Sequence, residues 1–160
     1  LVVGVSRGVE QRGSHGAVSV GENIFVVGGG GMRSNLASAE MFDGKSESWK
    51  PVAPMTVPRH ALSAVSANGF IYAIGGWMNG NCSSDAVERY DPAQDTWTTC
   101  SPLIVARKLY GLVEHAGLIY AFGGAGNDEG LLDSAEVYHP DQDRWSPLPS
   151  FPTPAHSRAA

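Results

Sequence analysis

Apolar residues in this chain come in short unbroken runs that stop on glycine. Asn23–Val27 ends on Gly28-Gly29, Phe70–Ile74 on Gly75-Gly76, and Leu118–Phe122 on Gly123-Gly124. A brief run of β-branched and aromatic residues closed by a turn signal predicts a strand buried on both faces. The glycine pair supplies positive φ and admits neighbouring backbone that a side chain would hold off. Around each run the pattern of small, polar and apolar positions predicts three more strands. The first set is Gly16–Val20, Asn23–Val27, 39–42 and a strand starting near Trp49. The second is 62–66, Phe70–Ile74, 86–90 and 96–99, and the third 109–114, Leu118–Phe122, 134–138 and 144–146. Asp43-Gly44 marks the turn between the last two strands of the first set. The segments 91–95 and 139–143 mark its equivalents, with proline pre-setting φ and aspartate capping the turn.

The three sets are copies of one unit. Gly29, Gly76 and Gly124 lie 47 and 48 residues apart, and the same period carries Glu40, Glu88 and Glu136, then Trp49, Trp97 and Trp145. Arg12, Arg59 and Arg107 each stand 17 positions before the second glycine. A strand-rich repeat of roughly 40–50 residues is the range of propeller blades. Gly-Gly, then Glu-x-[Tyr/Phe]-[Asp/His], then Trp, then the arginine together resemble the kelch repeat, and in particular the kelch-like proteins. The resemblance implies an all-β fold, a fragment of a kelch-type β-propeller made of four-stranded antiparallel blades. The repeats run 12–58, 59–106 and 107–154, and residues 155–160 begin another. Alanine stands at 155, where the period places an arginine. Residues 1–11 are either the outer strand of a preceding blade or a stub foreign to the propeller. Propellers close with about four to eight blades, so three blades leave two apolar faces to cover. A longer propeller covers them, or the chain self-associates through its open faces, with Gly16–Val20 and 110–113 expected to be exposed in an isolated wedge.

Composition fits this picture: 42% apolar, 17% charged, 20 glycines and 10 prolines suit short strands and many turns. A net charge of −5 without a Lys/Arg cluster argues against nucleic acid or an anionic membrane as partner. No run approaches the ~20 apolar residues of a membrane helix, and no signal-peptide pattern opens the chain. Cys82, expected in a loop, and Cys100, expected at the end of an outer strand, read as free thiols of a reducing compartment, the cytoplasm.

The histidines are scattered and form no ligand-spaced pair, and no nucleophile–base set or paired carboxylates stand out. No cofactor, metal site or catalysis is therefore expected. The periodic residues, Gly28, Gly29, Gly75, Gly76, Gly123, Gly124, Trp49, Trp97, Trp145, Glu40, Glu88, Glu136, Arg12, Arg59 and Arg107, recur in every unit and so serve the unit. The tryptophans anchor packing between blades, and the charged residues satisfy buried backbone or each other.

Function is expected where the repeats differ. The loops after Gly-Gly (30–38, 77–85, 125–133) and those carrying the arginines emerge on one face. In kelch-like proteins that face captures a peptide segment of a partner protein. Carried onto this chain, the positions after the arginine are His60, Lys108 and His156, with Tyr110 nearby. Trp77 and Met78 are exposed apolar candidates, an aromatic anchor among polar groups. Arg33, Asn35, Asn79, Asn127 and Asp128 are candidate hydrogen-bonding residues. The resemblance further implies a substrate-recognition domain of an adaptor for a cullin-RING ubiquitin ligase, joined to it through flanking domains. An actin-associated or scaffolding kelch protein and a kelch-fold oxidase, epimerase or lyase are the alternatives.

Overall fold

A computed structural model describes residues 10–79, 82–127, 130–150 and 152. The described residues form fourteen strands. Three antiparallel four-stranded sheets follow one another along the chain. The first contains β1 (Gly16–Val20), β2 (Asn23–Val27), β3 (Ala39–Asp43) and β4 (Ser48–Val52). The second contains β5 (Ser63–Ala67), β6 (Phe70–Ile74), β9 (Val87–Asp91) and β10 (Thr96–Cys100), and the third β11 (Gly111–His115), β12 (Leu118–Phe122), β13 (Ala135–His139) and β14 (Arg144–Leu148). Between β6 and β9 lies a small hairpin, β7 (Trp77–Met78) with β8 (Cys82–Ser83). No helix among the described residues is long and apolar enough to cross a membrane.

The strands lie in the predicted order, with modest differences at their ends. β5, β9 and β13 sit one residue later than the apolar pattern suggests. β11 starts at Gly111, because Leu109 takes φ +53° and Tyr110 turns inward. The Asp43-Gly44 turn is also built differently. Asp43 Oδ1 accepts the amides of Lys45 and Ser46, and Glu47 rather than glycine adopts positive φ (+50°). Asp91 likewise accepts from Ala93 and Gln94, with Asp95 left-handed.

The glycine pairs sit where one blade's chain crosses another. Gly76 has φ +105°, and a Cβ there would lie 2.7 Å from the His60 carbonyl oxygen; one on Gly75 would lie 2.6 Å from that of Arg107. Instead, the amides of Gly29 and Gly76 donate to the carbonyls of Arg59 and Arg107, each 2.9 Å away and each from the following repeat.

Three apolar clusters fill the spaces between sheets. Val27, Ala39, Met55, Leu62 and Ala73 form one, and Phe25, Ile71 and Tyr90 another, both joining the first two sheets. Tyr72, Ile74, Val87, Ile119, Ala121, Tyr138 and Trp145 join the second to the third. Of the residues expected to face water on an open wedge, Val113 is exposed, whereas Tyr110 is buried and Val18 and Val20 pack partly on the core. On β2, Ile24 is exposed.

A repeated polar clamp closes each blade junction at the outer edge. Asp95 Oδ1 accepts from the Tyr90 hydroxyl (2.7 Å) and the Ala53 amide (2.8 Å), while the Trp97 indole donates to the Ala53 carbonyl (2.6 Å). Asp143, Tyr138, Ser101 and Trp145 repeat it at 2.5, 2.8 and 3.1 Å. Phe42 and Glu47 occupy the corresponding places in the first sheet. Burial first, and then the hydrogen bond to the aspartate, raise the pKa of both tyrosines well above the ordinary 10.0. A group with a raised folded pKa contributes stability below its unfolded pKa that is lost as pH climbs past it. The fold therefore weakens above about pH 10, read as a falling urea midpoint. Tyr138→Phe starts from a lower midpoint and loses less of it at alkaline pH; an equal alkaline loss would mean that Tyr138 is not responsible.

Candidate functional site

The face carrying the glycine-pair loops is built on three arginine–glutamate locks. Arg59, with no exposed surface, donates to the carbonyls of Gly75 (2.8 Å), Ala86 (2.7 Å) and Ala73 (3.0 Å) and to Glu88 (3.1 Å). Glu88 in turn accepts the amides of Thr56 and Val57. Arg107 repeats this with Gly123, Ser134 and Glu136, which accepts from Ile104 and Val105. Arg12 reaches Gly28, Ser38 and Glu40. Each guanidinium so fastens the loop leaving the Gly-Gly strand, and in the second and third blades its glutamate fastens the loop entering the blade. Burial pulls the Arg59 pKa down and the Glu88 carboxylate pushes it back up.

The residue after each lock pairs by backbone with the loop after the glycine pair: Gly13 with Gly30, His60 with Trp77, and Lys108 with Ala125. Only the middle blade carries large side chains at both places. With glycine and alanine beside it, Trp77 gathers its neighbours. His60 stacks on its ring at 5.5 Å between centroids and 22° between planes, and Lys108 Nζ lies 3.5 Å from the ring centre. Asn35, from the first blade, donates through Nδ2 to the Trp77 carbonyl (2.8 Å) and meets His60 Nδ1 through Oδ1 (2.7 Å). Because that amide donates on its nitrogen side, Oδ1 is the acceptor and His60 Nδ1 carries the proton. Loops of three blades thus meet in one array.

Nearer the axis, backbone bonds run from blade to blade: Ala61 N–H to Ser14 O (2.8 Å) and Leu109 N–H to Ala61 O (3.4 Å). All three residues are left-handed without being glycine. Beside them, His15, Leu62, Ser63 and Tyr110 line a shallow hollow of about 200 Å³. Burial and the Arg12 guanidinium lower the His15 pKa.

Other expected site residues are placed as follows. Trp77 and Met78 are half-buried in β7 rather than exposed in a loop, since the hairpin turns the ring onto His60 and Lys108. Cys82 belongs to β8 of the same hairpin. Lys108 is 6% exposed. Tyr110 is buried against the second blade, its hydroxyl donating to the Ile74 carbonyl (2.7 Å). Asn79 and Arg33 are exposed, Arg33 beside a hollow of about 450 Å³ lined by Glu10, Met32 and Leu36. Asn127 accepts the Ser83 amide (2.6 Å), tying the second blade's hairpin to the third blade's loop. Asp128 and His156 lie outside the described residues. The pattern of residues did not point to Met32, 91% exposed, or to the Ser83 link. The β7–β8 hairpin did have a signal, the Asn-Gly pair at 79–80.

The Kelch motif matches residues 11–56, 58–104 and 106–152. This chain belongs to the kelch-repeat family. Human Kelch-like protein 30 is 44% identical over 62 residues, 36% of this chain and 11% of that protein. Human Kelch-like protein 33 is 36% identical over 81 residues, 48% of this chain and 15% of that protein. The kelch chain therefore aligns with only a small part of these relatives. In fold it resembles the structure of YjhT, with a TM-score of 0.79 at 15% identity over 92% of this chain and 54% of that one.

Proposed function

We propose that this kelch-repeat chain is a protein-interaction module, not an enzyme, whose loop face captures a peptide segment of a partner protein. The observation that carries this is the Asn35–His60–Trp77–Lys108 array. The locks repeat in every blade, but these four side chains occur once and meet across three blades. An aromatic anchor among fixed polar groups is the usual form of a binding hot spot. Met78 and Asn79 follow Trp77 in its hairpin, Asn127 accepts the Ser83 amide of that hairpin, and Arg33, Asp128 and His156 complete the proposed face from the loops of the first, third and following repeats. Tyr110 and the buried part of Lys108 support the face from below.

The similarity to Kelch-like proteins 30 and 33 supports reading the partner as the substrate of a cullin-RING ubiquitin ligase in the cytoplasm. Domains beyond the repeats would make the ligase contact, and the open blade faces would be covered by further blades or by a second copy. An actin-associated or scaffolding role is the second reading.

Photo-crosslinking residues placed in the full-length protein test the face. At exposed Met32 or Asn79 they should trap the partner, and at Glu22, in the β1–β2 turn at the opposite end, they should not. Equal or stronger trapping from position 22 would overturn the assignment. For the ligase reading, the trapped partner should lose its ubiquitin when cullin activation is blocked; unchanged ubiquitin on it would favour the scaffold.

A further inference from the structure

The outer edges of the three sheets are not alike. Each blade ends in an edge strand: among the described residues, β4, β10 and β14 pair on one side only. Such an edge shows a row of main-chain donors and acceptors, which proteins blunt with proline and with charged side chains. β4 carries Lys50 and Pro51, and β14 carries Arg144 and Pro147. Pro51 stands opposite Glu40 and Pro147 opposite Glu136, so the two prolines hold the same place in their blades. In β10 that place, opposite Glu88, holds Thr99. The whole strand reads Thr96-Trp97-Thr98-Thr99-Cys100, with neither charge nor proline, and its three threonines are exposed.

The prolines also show which groups point outward. Proline is tolerated within an edge strand where its nitrogen faces away from the ladder. The Thr99 amide, at the same place, therefore faces outward. By the alternation of an antiparallel ladder, so do the Trp97 amide and the carbonyls of both residues. β10 thus offers two donors and two acceptors at its edge, whereas proline removes one donor from β4 and one from β14.

We infer that β10 is a pairing edge for a second copy of this chain, the two β10 strands running antiparallel about a two-fold axis at Thr98. In that register Trp97 of each strand exchanges hydrogen bonds with Thr99 of the other, and Thr98 stands opposite Thr98 of the second copy. All four outward groups of each strand are satisfied, and the second blades of two copies form one continuous sheet. The interface is isologous, as in most homodimers. Charge selects this occupant. The same pairing of β4 would set Lys50 against Lys50, because Lys50 occupies the place of Thr98. In β14, Pro147 would delete two of the four bonds. β10 meets neither obstacle, and threonines pair favourably across strands. The proposal is independent of the loop face.

Sedimentation of the full chain over rising concentration reads the pairing. The wild type should pass from monomer to dimer. Thr99→Pro should raise the dissociation constant at least about tenfold, because it removes two of the four hydrogen bonds. Pro51 and Pro147 show that a blade accepts proline at this place, so the urea midpoint should hold. If that midpoint falls, Thr98→Lys decides instead: it sets two ammonium groups together and should weaken the dimer most at low salt. Disulfide capture locates the strands. With Cys82 and Cys100 replaced by serine, Thr98→Cys should oxidise in air to a covalent dimer, whereas Lys50→Cys should not. A wild type that stays monomeric at its highest soluble concentration would overturn the pairing. So would equal capture from positions 50 and 98, or a dimer unmoved by these substitutions, as one held by the open blade faces would be.

Discussion

Arg59→Ala should lower the unfolding free energy by about 3–5 kcal/mol, the loss expected when one member of a buried ion pair is removed and the other stays. The guanidinium has no exposed surface, and its removal takes one donor from each of the carbonyls of Ala73, Gly75 and Ala86, the last of which keeps the Gly75 amide, and leaves Glu88 without its cation. Glu88 keeps the amides of Thr56 and Val57, which bounds the penalty. Arg59→Lys should recover little, because an ammonium on a flexible stem cannot span four acceptors held in the plane of a guanidinium. Adding Glu88→Gln to Arg59→Ala should restore part of the loss by removing the stranded charge. Urea unfolding with an unchanged m-value gives the numbers. A loss below about 1 kcal/mol, the scale of an exposed pair, would show that water reaches the lock.

Trp145→Ala should cost about 3–5 kcal/mol, the range for removing a large aromatic side chain from a core, and Trp97→Ala less. Both tryptophans donate an indole N–H across a blade junction. They differ in burial: Trp145 is 7% exposed and part of the cluster joining the second and third sheets, whereas Trp97 is half-buried at the edge of its clusters. If packing dominates, the order of the two losses follows burial. If the two variants lose equally, the shared hydrogen bond dominates and the packing argument fails.

The blades were legible because the repeat writes each requirement three times. A glycine pair, a glutamate and an arginine at fixed spacing have few geometries in common, and strand ends fall mostly within a residue or two of the pattern. What escaped depends on residues from different repeats meeting. Trp77 reads as an exposed loop aromatic, yet its ring is covered because His60 precedes one blade and Lys108 the next. Tyr110 reads as part of the binding face, but its hydroxyl finds a carbonyl on the neighbouring sheet. Ser14, Ala61 and Leu109 adopt positive φ without glycine or asparagine to announce it, since the backbone bonds between blades hold them there. The Asp43-Gly44 turn lies where the pair marked it, but the glycine is not left-handed: Asp43 caps the turn, and a Cβ on Gly44 would lie 2.2 Å from the Glu22 carbonyl oxygen.

The crossing at the glycine pairs also bears on how the chain is made. The amides of Gly29 and Gly76 are satisfied by carbonyls of Arg59 and Arg107, which belong to the next repeat. During synthesis, then, a blade whose four strands have all left the ribosome is still unfinished. It is completed only when the opening residues of its successor emerge and lie across it. Each repeat fastens the one made before it, so the order of translation is also the order in which the blades are locked.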